Sequence, residues 1–276
     1  GFARPRARLP KDGVLEHACQ FNQPWLSTTG GGFQPPPPVE LRSQLIYPEG
    51  QLPAGLMPGN SEVVVYHSWD ESQARVTGHD PSTRTLFLDP PLTYPPGAFG
   101  VKGYVVLNVR EGMLQPGQWY LDRVAGRVVY WPLPGERMAE CVVEAPVLMT
   151  LLRVRGSADS PVRGVTVRGL GFDLTNVALR SPGWGARPYA GAVEFEHADA
   201  CRLEGLRVSR AGGQGLRLED VSHSRVADCE INRCGANGIY FSGRPGNEIL
   251  DNHVWDVGLV YPSAVGIQTQ RFRRSL

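Results

Sequence analysis

The chain has 276 residues, of which 33 are glycine and 24 are proline. So many helix-breaking residues argue against a helix bundle or a coiled coil, whose interiors exclude them. The hydrophobic share of 41% is large enough for a core, which excludes wholesale disorder. A net charge of +1 offers little attraction to nucleic acid or an anionic membrane. No apolar run approaches the roughly 20 residues that span a bilayer. We therefore expect a turn-rich, all-β protein without a membrane span or a nucleic-acid partner.

Residues 1–61 are predicted to form an irregular, loop-rich N-terminal segment. The polyproline run 35–38 follows the glycines 30–32 and favours an extended, unpaired backbone. We expect no regular secondary structure there.

Residues 62–145 are predicted to form an antiparallel β module. Short β-branched and aromatic runs alternate with Asp-Pro, Pro-Gly and Pro-Pro dipeptides, which are turn signals. The runs are VVVY at 63–66, TLFL at 85–88, YVVL at 104–107 and RVVYW at 127–131.

The last part of the chain contains an internal repeat. The segment 215–218 (GLRL) recurs at 238–241 (GIYF), and 226–231 (VADCEI) recurs at 249–254 (ILDNHV), each 23 residues later. Earlier copies begin at 203 and 167, and the longer spacing of 36 between them contains an insertion of 13 residues around 180–189. A fixed period in the twenties with two short strands in each repeat indicates a solenoid.

We predict that residues 146–276 form a right-handed parallel β-helix. A leucine-rich repeat has a similar period, but it would need a helix or its L-x-x-L-x-L frame, and the repeats contain no helical stretch. In a β-helix, Asn252 would point inward, which requires its amide to hydrogen-bond the backbone at a corner. The other residues expected to point inward are Val226, Cys229, Ile231, Ile249 and Val254.

Two segments of the antiparallel module resemble a known family. Residues 116–123 (PGQWYLDR), with 126–132 (GRVVYWP) and 135–136 (GE), resemble a segment of carbohydrate-active β-helix proteins similar to glycoside hydrolase family 141. Residues 67–70 (HSWD) resemble the strand that precedes it. The resemblance covers about residue 40 to 270. It implies a small β domain inserted before or within the early coils, polysaccharide hydrolysis, and an extracellular or periplasmic location.

Related proteins look longer, so we expect this chain to be a fragment or a truncated product. Its last residues begin a new coil, opened by residues 266–269. An open final coil exposes unpaired backbone groups.

Three aspartates are the candidate catalytic residues. Asp228 and Asp251 lie 23 residues apart, so in stacked coils about 4.8 Å apart they become neighbours at the separation of roughly 5 Å that a retaining glycosidase needs. Repulsion between close carboxylates raises one pKa, which keeps a general acid protonated. Asp256 lies in the following corner loop. The alternative is that these are solvated carboxylates on a polar surface.

Six further residues are candidates for substrate binding. Trp255 offers an aromatic platform for a sugar ring, or it packs the corner loop onto the coil. His253 is expected to lie over Glu230, either as a proton carrier or in a hydrogen-bonded pair. A polar row on the other strand face suits hydroxyls or a uronate, although two of its members would also form a plain surface ion pair. The row consists of Glu194, Arg217, Tyr240 and Gln268.

The sequence contains no motif for a metal or a cofactor. G-x-S-x-G, H-E-x-x-H, P-loop and dinucleotide-binding patterns are absent, as is D-x-D-x-D spacing. Five scattered cysteines without a C-x-x-C pair indicate neither a zinc site nor a disulfide framework. We therefore predict no metal and no cofactor. The oligomeric state stays open.

These features predict a carbohydrate-active β-helix protein that hydrolyses glycosidic bonds in a cell-wall polysaccharide by means of paired carboxylates. Its partner would be a polysaccharide or an oligosaccharide. Two alternatives remain: a non-catalytic carbohydrate-binding surface protein, and a polysaccharide lyase that uses a basic residue such as Arg217 on a uronate.

Overall fold

A computed structural model describes residues 3–26, 32–181, 183–244 and 246–271. The chain divides into two compact units. The first comprises Gly1–Val143 with Leu179–Ser181, and the second comprises Glu144–Ala178 with Pro182–Leu276. Strands dominate both units, which confirms the predicted all-β class. Among the described helices, none has the length and apolar character needed to cross a membrane.

The first unit is built on an antiparallel sheet of seven strands in the order β1-β7-β4-β5-β6-β3, with β2 also paired to β7. A separate hairpin pairs β8 with β9. The strands are β1 Arg8–Leu9, β2 Leu15–Glu16, β3 Gln44–Ile46, β4 Glu62–Tyr66, β5 Glu71–Asp80, β6 Thr85–Asp89, β7 Gly103–Leu107, β8 Trp119–Asp122 and β9 Arg127–Tyr130. The helical turns of this unit are α1 Val39–Arg42 and the 3-10 turns Ala98–Gly100, Arg110–Gly112 and Met138–Glu140.

The alternation of side chains along β4 and β5 produces the core of this sheet. Val63 and Val65 lie opposite Ala74 and Ser72, and the three apolar members of this set are fully buried. Leu86 from β6 joins the same core. The hydrophobic runs recognised in the sequence are therefore the central strands of the sheet.

The N-terminal segment contributes strands where the sequence predicted none. β1 pairs with β7, β3 pairs with β6, and β2 adds to β7. These strands are two or three residues long. Such short strands show no alternation of polarity, because their pairing depends on backbone groups offered by strands already in place.

The second unit is a parallel β-helix of three sheets, in agreement with the prediction. The first sheet runs β10-β14-β17-β20-β23, with β11 also paired to β14; the second runs β12-β15-β18-β21, and the third β13-β16-β19-β22. All of their pairings are parallel. The strands are β10 Leu152–Arg155, β11 Val162–Arg163, β12 Thr166–Arg168, β13 Gly171–Thr175, β14 Gly191–Asp199, β15 Arg202–Glu204, β16 Arg207–Ala211, β17 Gln214–Ser222, β18 Arg225–Ala227, β19 Glu230–Asn232, β20 Ile239–Gly243, β21 Glu248–Leu250, β22 His253–Trp255 and β23 Ile267–Arg271.

The strand register reproduces the repeat found in the sequence. Leu216 lies beside Ile239, and Val226 lies beside Ile249, at the same shift of 23 residues. The 13-residue insertion lies between β13 and β14 and contains the 3-10 turn Trp184–Ala186. Stacking in register builds continuous apolar columns inside the solenoid. One column consists of Leu152, Val193, Leu216 and Ile239, and another of Val154, Phe195, Leu218 and Phe241.

The Asn252 amide holds two consecutive coils together at a corner. Its Oδ1 accepts a hydrogen bond from the Cys229 backbone N–H at 3.0 Å, and its Nδ2 donates to the Val226 carbonyl at 2.9 Å. Asn247 makes the same kind of bonds one corner earlier, to the Ser224 N–H and the Val221 carbonyl. The backbone bonding expected for an inward Asn252 is therefore present.

Replacing Asn252 by alanine is expected to destabilise the protein, because the change leaves the N–H of Cys229 and the carbonyl of Val226 without these bonds. We expect a loss of about 1–3 kcal/mol in the free energy of unfolding. Urea denaturation followed by circular dichroism measures it. Leu250→Ala is the control, since Leu250 is exposed and its truncation should change stability by no more than about 0.5 kcal/mol. Equal effects of the two variants would contradict the role of the amide.

Candidate functional site

Asp228 and Asp251 occupy the corner between the second and third sheets. Their φ angles are +56° and +52°, which is left-handed backbone. The same corner in the two preceding coils holds Gly205 and Gly169, also at positive φ. Aspartate tolerates this conformation better than most side chains. The backbone thus supplies a reason for both aspartates that is independent of catalysis.

Asp256 follows the third sheet at another left-handed corner. Its φ is +49°, and the equivalent residues in the earlier coils are Arg233, Arg210 and Leu174, all at positive φ. Asp228, Asp251 and Asp256 are all exposed. The three predicted catalytic residues therefore lie at bends of the solenoid, not on its flat strand faces.

His253 and Trp255 lie on the third sheet and contact each other. Their rings stack with centroids 4.1 Å apart and an interplanar angle of 28°. Glu230 is the strand neighbour of His253, as predicted, but its carboxylate lies 3.7 Å from the Arg207 guanidinium on the other side. The stacked pair is a partly exposed aromatic surface.

The predicted polar row lies in register on the first sheet, in the order Glu194, Arg217, Tyr240 and Gln268. Glu194 does not pair with Arg217; it binds Arg153 at 2.7 Å. The chain's own groups engage most of this row, and Tyr240 is only 4% exposed.

Arg217 is held from three sides. One of its guanidinium nitrogens donates to the Arg187 carbonyl at 2.6 Å, and another donates to Glu219 at 2.6 Å. Its guanidinium carbon lies 4.9 Å from the centroid of the Tyr240 ring. This arginine therefore organises the sheet surface and the insertion over it.

The predicted residues do not form one site. The polar row belongs to the first sheet, Asp228 and Asp251 to the corner between the second and third sheets, and His253 and Trp255 to the third sheet. The three sheets are different faces of the solenoid. A single substrate site cannot use all of these residues at once.

One carboxylate pair on a strand face escaped the sequence analysis. Glu196 and Glu219 are register partners on β14 and β17, with side chains about one third exposed. Each is ion-paired: Glu196 binds Arg155 at 2.6 Å, and Glu219 binds Arg217. Their spacing of 23 residues was available in the sequence, but the copy that contains Glu196 follows the insertion and was not placed in register.

A second group that the sequence did not reveal lies in the first unit, where a hairpin connects β4 to β5. Asp70 is 5% exposed and Glu71 is 1% exposed, and none of their carboxyl oxygens has a hydrogen-bond partner in the described structure. Burial raises the pKa of Asp70 to about 6. Burial, and then the charge of Asp70, raise the pKa of Glu71 to about 8. Burial lowers the pKa of the neighbouring His67 to about 4.

Several aromatic residues behave differently from the expectation of simple core packing. Tyr120 is buried, but Trp69 is 40% exposed and Trp131 is 43% exposed. Tyr261, which the sequence offered as a second sugar platform, is buried and stacks on Tyr189 with ring centroids 3.8 Å apart. Asp122 caps its turn as predicted, accepting a hydrogen bond from the Ala125 N–H at 3.0 Å.

The described residues contain no group of three or more His, Cys, Asp or Glu side chains arranged to hold a metal ion. All five cysteines are free thiols, and Cys201, Cys229 and Cys234 are buried within the β-helix. Burial raises the pKa of the Cys234 thiol to about 12, which makes it an unreactive core residue.

Comparison with known proteins supports the architecture. Residues 153–272 match the family model described as "Right handed beta helix region". A solved structure named "Glycoside hydrolase" superimposes with a TM-score of 0.65 and 17% identity, over 96% of this chain and 54% of that one. The chain thus spans about half the length of that hydrolase, and the likeness shows a shared fold. No curated protein matches the sequence.

The left-handed corner predicts the response of Asp251 to substitution. Asp251→Gly is expected to keep the free energy of unfolding within about 0.5 kcal/mol, because glycine adopts positive φ without strain. Asp251→Val should lose about 1–2 kcal/mol, because a β-branched side chain clashes in this conformation. Urea denaturation of both variants measures the difference. Equal stability of the glycine and valine variants would show that the corner imposes no backbone requirement.

The buried Glu71 predicts a pH-dependent stability. Its folded pKa of about 8 lies above the ordinary value, so the stability associated with this group is present at about pH 4 and is lost as pH rises to about 8. Glu71→Gln removes this loss and should raise stability at pH 8 by on the order of 2–4 kcal/mol relative to its effect at pH 4. The readout is the melting temperature of the full chain across pH.

The matched control is Glu49→Gln, since Glu49 is an exposed glutamate of the same unit. Its effect on the melting temperature should not vary with pH. His67 has the opposite dependence, because its lowered pKa costs stability as pH falls from about 6.5 to about 4, but it is common to all the variants. A pH-independent effect of Glu71→Gln would contradict the buried, protonated carboxyl.

Proposed function

We propose that this protein is a carbohydrate-active β-helix protein that hydrolyses glycosidic bonds in an extracellular or cell-wall polysaccharide. The observation that carries the proposal is the in-register pair Glu196 and Glu219 on the first sheet. Register partners in a parallel sheet lie about 4.8 Å apart, which matches the carboxyl separation of about 5–5.5 Å in retaining glycosidases. The structural likeness to a glycoside hydrolase and the sequence resemblance to such proteins support the substrate class.

The ion pairs suggest different roles for the two glutamates. Arg155 binds Glu196 and favours its charged form, which suits a nucleophile that attacks the anomeric carbon. The Arg217 guanidinium is shared between Glu219, the Arg187 carbonyl and the Tyr240 ring. Its hold on Glu219 is therefore weaker, and Glu219 is assigned as the acid that protonates the leaving oxygen. Glu219 then removes a proton from the water that hydrolyses the glycosyl ester.

The other predicted residues have supporting roles in this proposal. Glu194, Arg217, Tyr240 and Gln268 hold the surface of the first sheet in place around the glutamate pair. His253 and Trp255 offer an aromatic platform on the third sheet for a neighbouring stretch of polysaccharide. Catalysis by Asp228, Asp251 and Asp256 stays a prediction, and their left-handed corners supply a structural reason for the same residues.

A non-catalytic carbohydrate-binding protein is the second candidate. The observation in its favour is that both glutamates are ion-paired with arginines, an arrangement that suits the acceptance of sugar hydroxyls better than the donation of a proton. A lyase that uses Arg217 as its base is disfavoured, because that guanidinium is already bound by Arg187, Glu219 and Tyr240.

The proposal is tested by comparing Glu219→Gln with Asp251→Asn on a panel of polysaccharides, with a reducing-end assay. We expect Glu219→Gln to lower the hydrolysis rate by about 10²–10⁴-fold, the usual contribution of a general acid. Asp251→Asn and the exposed control Glu248→Gln should stay near the wild-type rate. Circular dichroism checks that each variant is folded.

Two outcomes would reject this assignment. Loss of hydrolysis in Asp251→Asn, with Glu219→Gln active, would move catalysis to the corner aspartates. Sugar binding without hydrolysis by the wild-type chain would support the non-catalytic candidate. Products that absorb in the ultraviolet would identify a lyase.

A further inference from the structure

The hairpin between β4 and β5 contains buried polar groups without partners. Both carboxyl oxygens of Asp70 and the Nδ1 of His67 lack a hydrogen bond in the described structure. These side chains are 5% and 6% exposed. The other ring nitrogen of His67 is bound to the Ser72 hydroxyl at 2.9 Å, which fixes the orientation of the imidazole. A buried polar group without a partner costs about 1–3 kcal/mol, so groups of this kind mark a place where a ligand supplies the missing bonds.

Aromatic rings adjoin these polar groups. Tyr94 packs edge-on against His67 at a centroid distance of 5.3 Å, and it feels the charge of Asp70, which together with burial raises the pKa of its hydroxyl. Trp25 contacts Tyr94 at 5.5 Å and Trp69 at 5.7 Å. Trp69 is the member of the cluster that faces solvent, with 40% of its surface exposed. The cluster thus joins an open aromatic ring to a carboxyl that follows it directly in the chain.

Phe99 supports this surface with a strained backbone. Its φ is +61°, a conformation that costs a bulky residue on the order of 1–3 kcal/mol. Its ring lies 4.5 Å from that of Trp69, tilted by 50°. Strain of this kind persists where the surroundings hold a side chain in a required position, and here that position is beneath the exposed tryptophan.

We propose that the cluster of Trp69, Trp25, Phe99, His67 and Asp70 is a binding subsite for a neutral sugar residue. A pyranose ring combines an apolar C–H face, which stacks on Trp69, with hydroxyl groups, which donate to the Asp70 carboxyl and bond His67 Nδ1. The two acidic side chains Asp70 and Glu71 repel a uronate, so the subsite selects neutral sugars. This inference rests on the proposed function for the class of ligand, and it places binding in a unit that carries none of the proposed catalytic residues.

The subsite is tested on the full chain by isothermal titration with xylohexaose, cellohexaose, mannohexaose and tri-galacturonate. At least one neutral oligosaccharide should bind, and tri-galacturonate should not. Trp69→Ala is expected to weaken neutral binding by about tenfold or more, which is about 1.4 kcal/mol. Asp70→Asn should weaken it by a similar factor. The matched control is Trp131→Ala, because Trp131 is a similarly exposed tryptophan outside the cluster, and its affinity should stay within about twofold of wild type.

The results separate this subsite from the proposed hydrolysis. Glu219→Gln should bind the neutral oligosaccharide like the wild type, whether or not it hydrolyses. Loss of hydrolysis in Glu219→Gln with Trp69-dependent binding intact supports both inferences, whereas Trp69-dependent binding by a chain that never hydrolyses rejects only the catalytic one. Absence of binding by all three neutral probes, or wild-type affinity in folded Trp69→Ala and Asp70→Asn, overturns the subsite.

Discussion

Stacking of parallel strands in register is the constraint on which the second unit depends. Each coil places its side chains over the equivalent side chains of the coil before it, at a shift of 23 residues outside the insertion. Inward positions therefore form apolar columns, such as the one that contains Leu216 and Ile239. Outward positions form polar rows by the same geometry. One period thus generates the core, the surface chemistry and the corners together.

The corners show how this constraint complicates the assignment of function. A coil that turns sharply needs left-handed backbone, and glycine or aspartate meets that need at lowest cost. Aspartates that recur at the repeat spacing look like a catalytic pair in the sequence, although the bend alone accounts for their recurrence. The strand-face pair Glu196 and Glu219 has the same spacing without a backbone requirement. This difference makes the glutamates the better candidates for chemistry.

The two units treat buried polar groups in opposite ways. In the β-helix, the amides of Asn247 and Asn252 satisfy backbone groups between coils. Asp220 likewise binds His197 and Arg244, whose hydrogen bonds lower its pKa, with Arg244 making the larger contribution. In the first unit, Asp70 and Glu71 are buried without partners. A fold that satisfies polar groups so fully in one unit and leaves carboxyls unpaired in the other indicates that the unpaired ones await a ligand.

The sequence by itself determined the all-β class, the repeat period, the β-helix and the central strands of the antiparallel module, because these follow from local polarity patterns and from self-similarity. It also predicted the backbone bonding of Asn252 and the register of the row from Glu194 to Gln268. Only the tertiary structure decided the N-terminal edge strands, whose pairing uses backbone groups that leave no polarity pattern. It alone showed that the candidate residues lie on different faces of the solenoid and that Asp228, Asp251 and Asp256 stand at left-handed corners. The burial of Asp70 and Glu71 was equally hidden, since a carboxyl loses its solvent only when distant parts of the chain pack together.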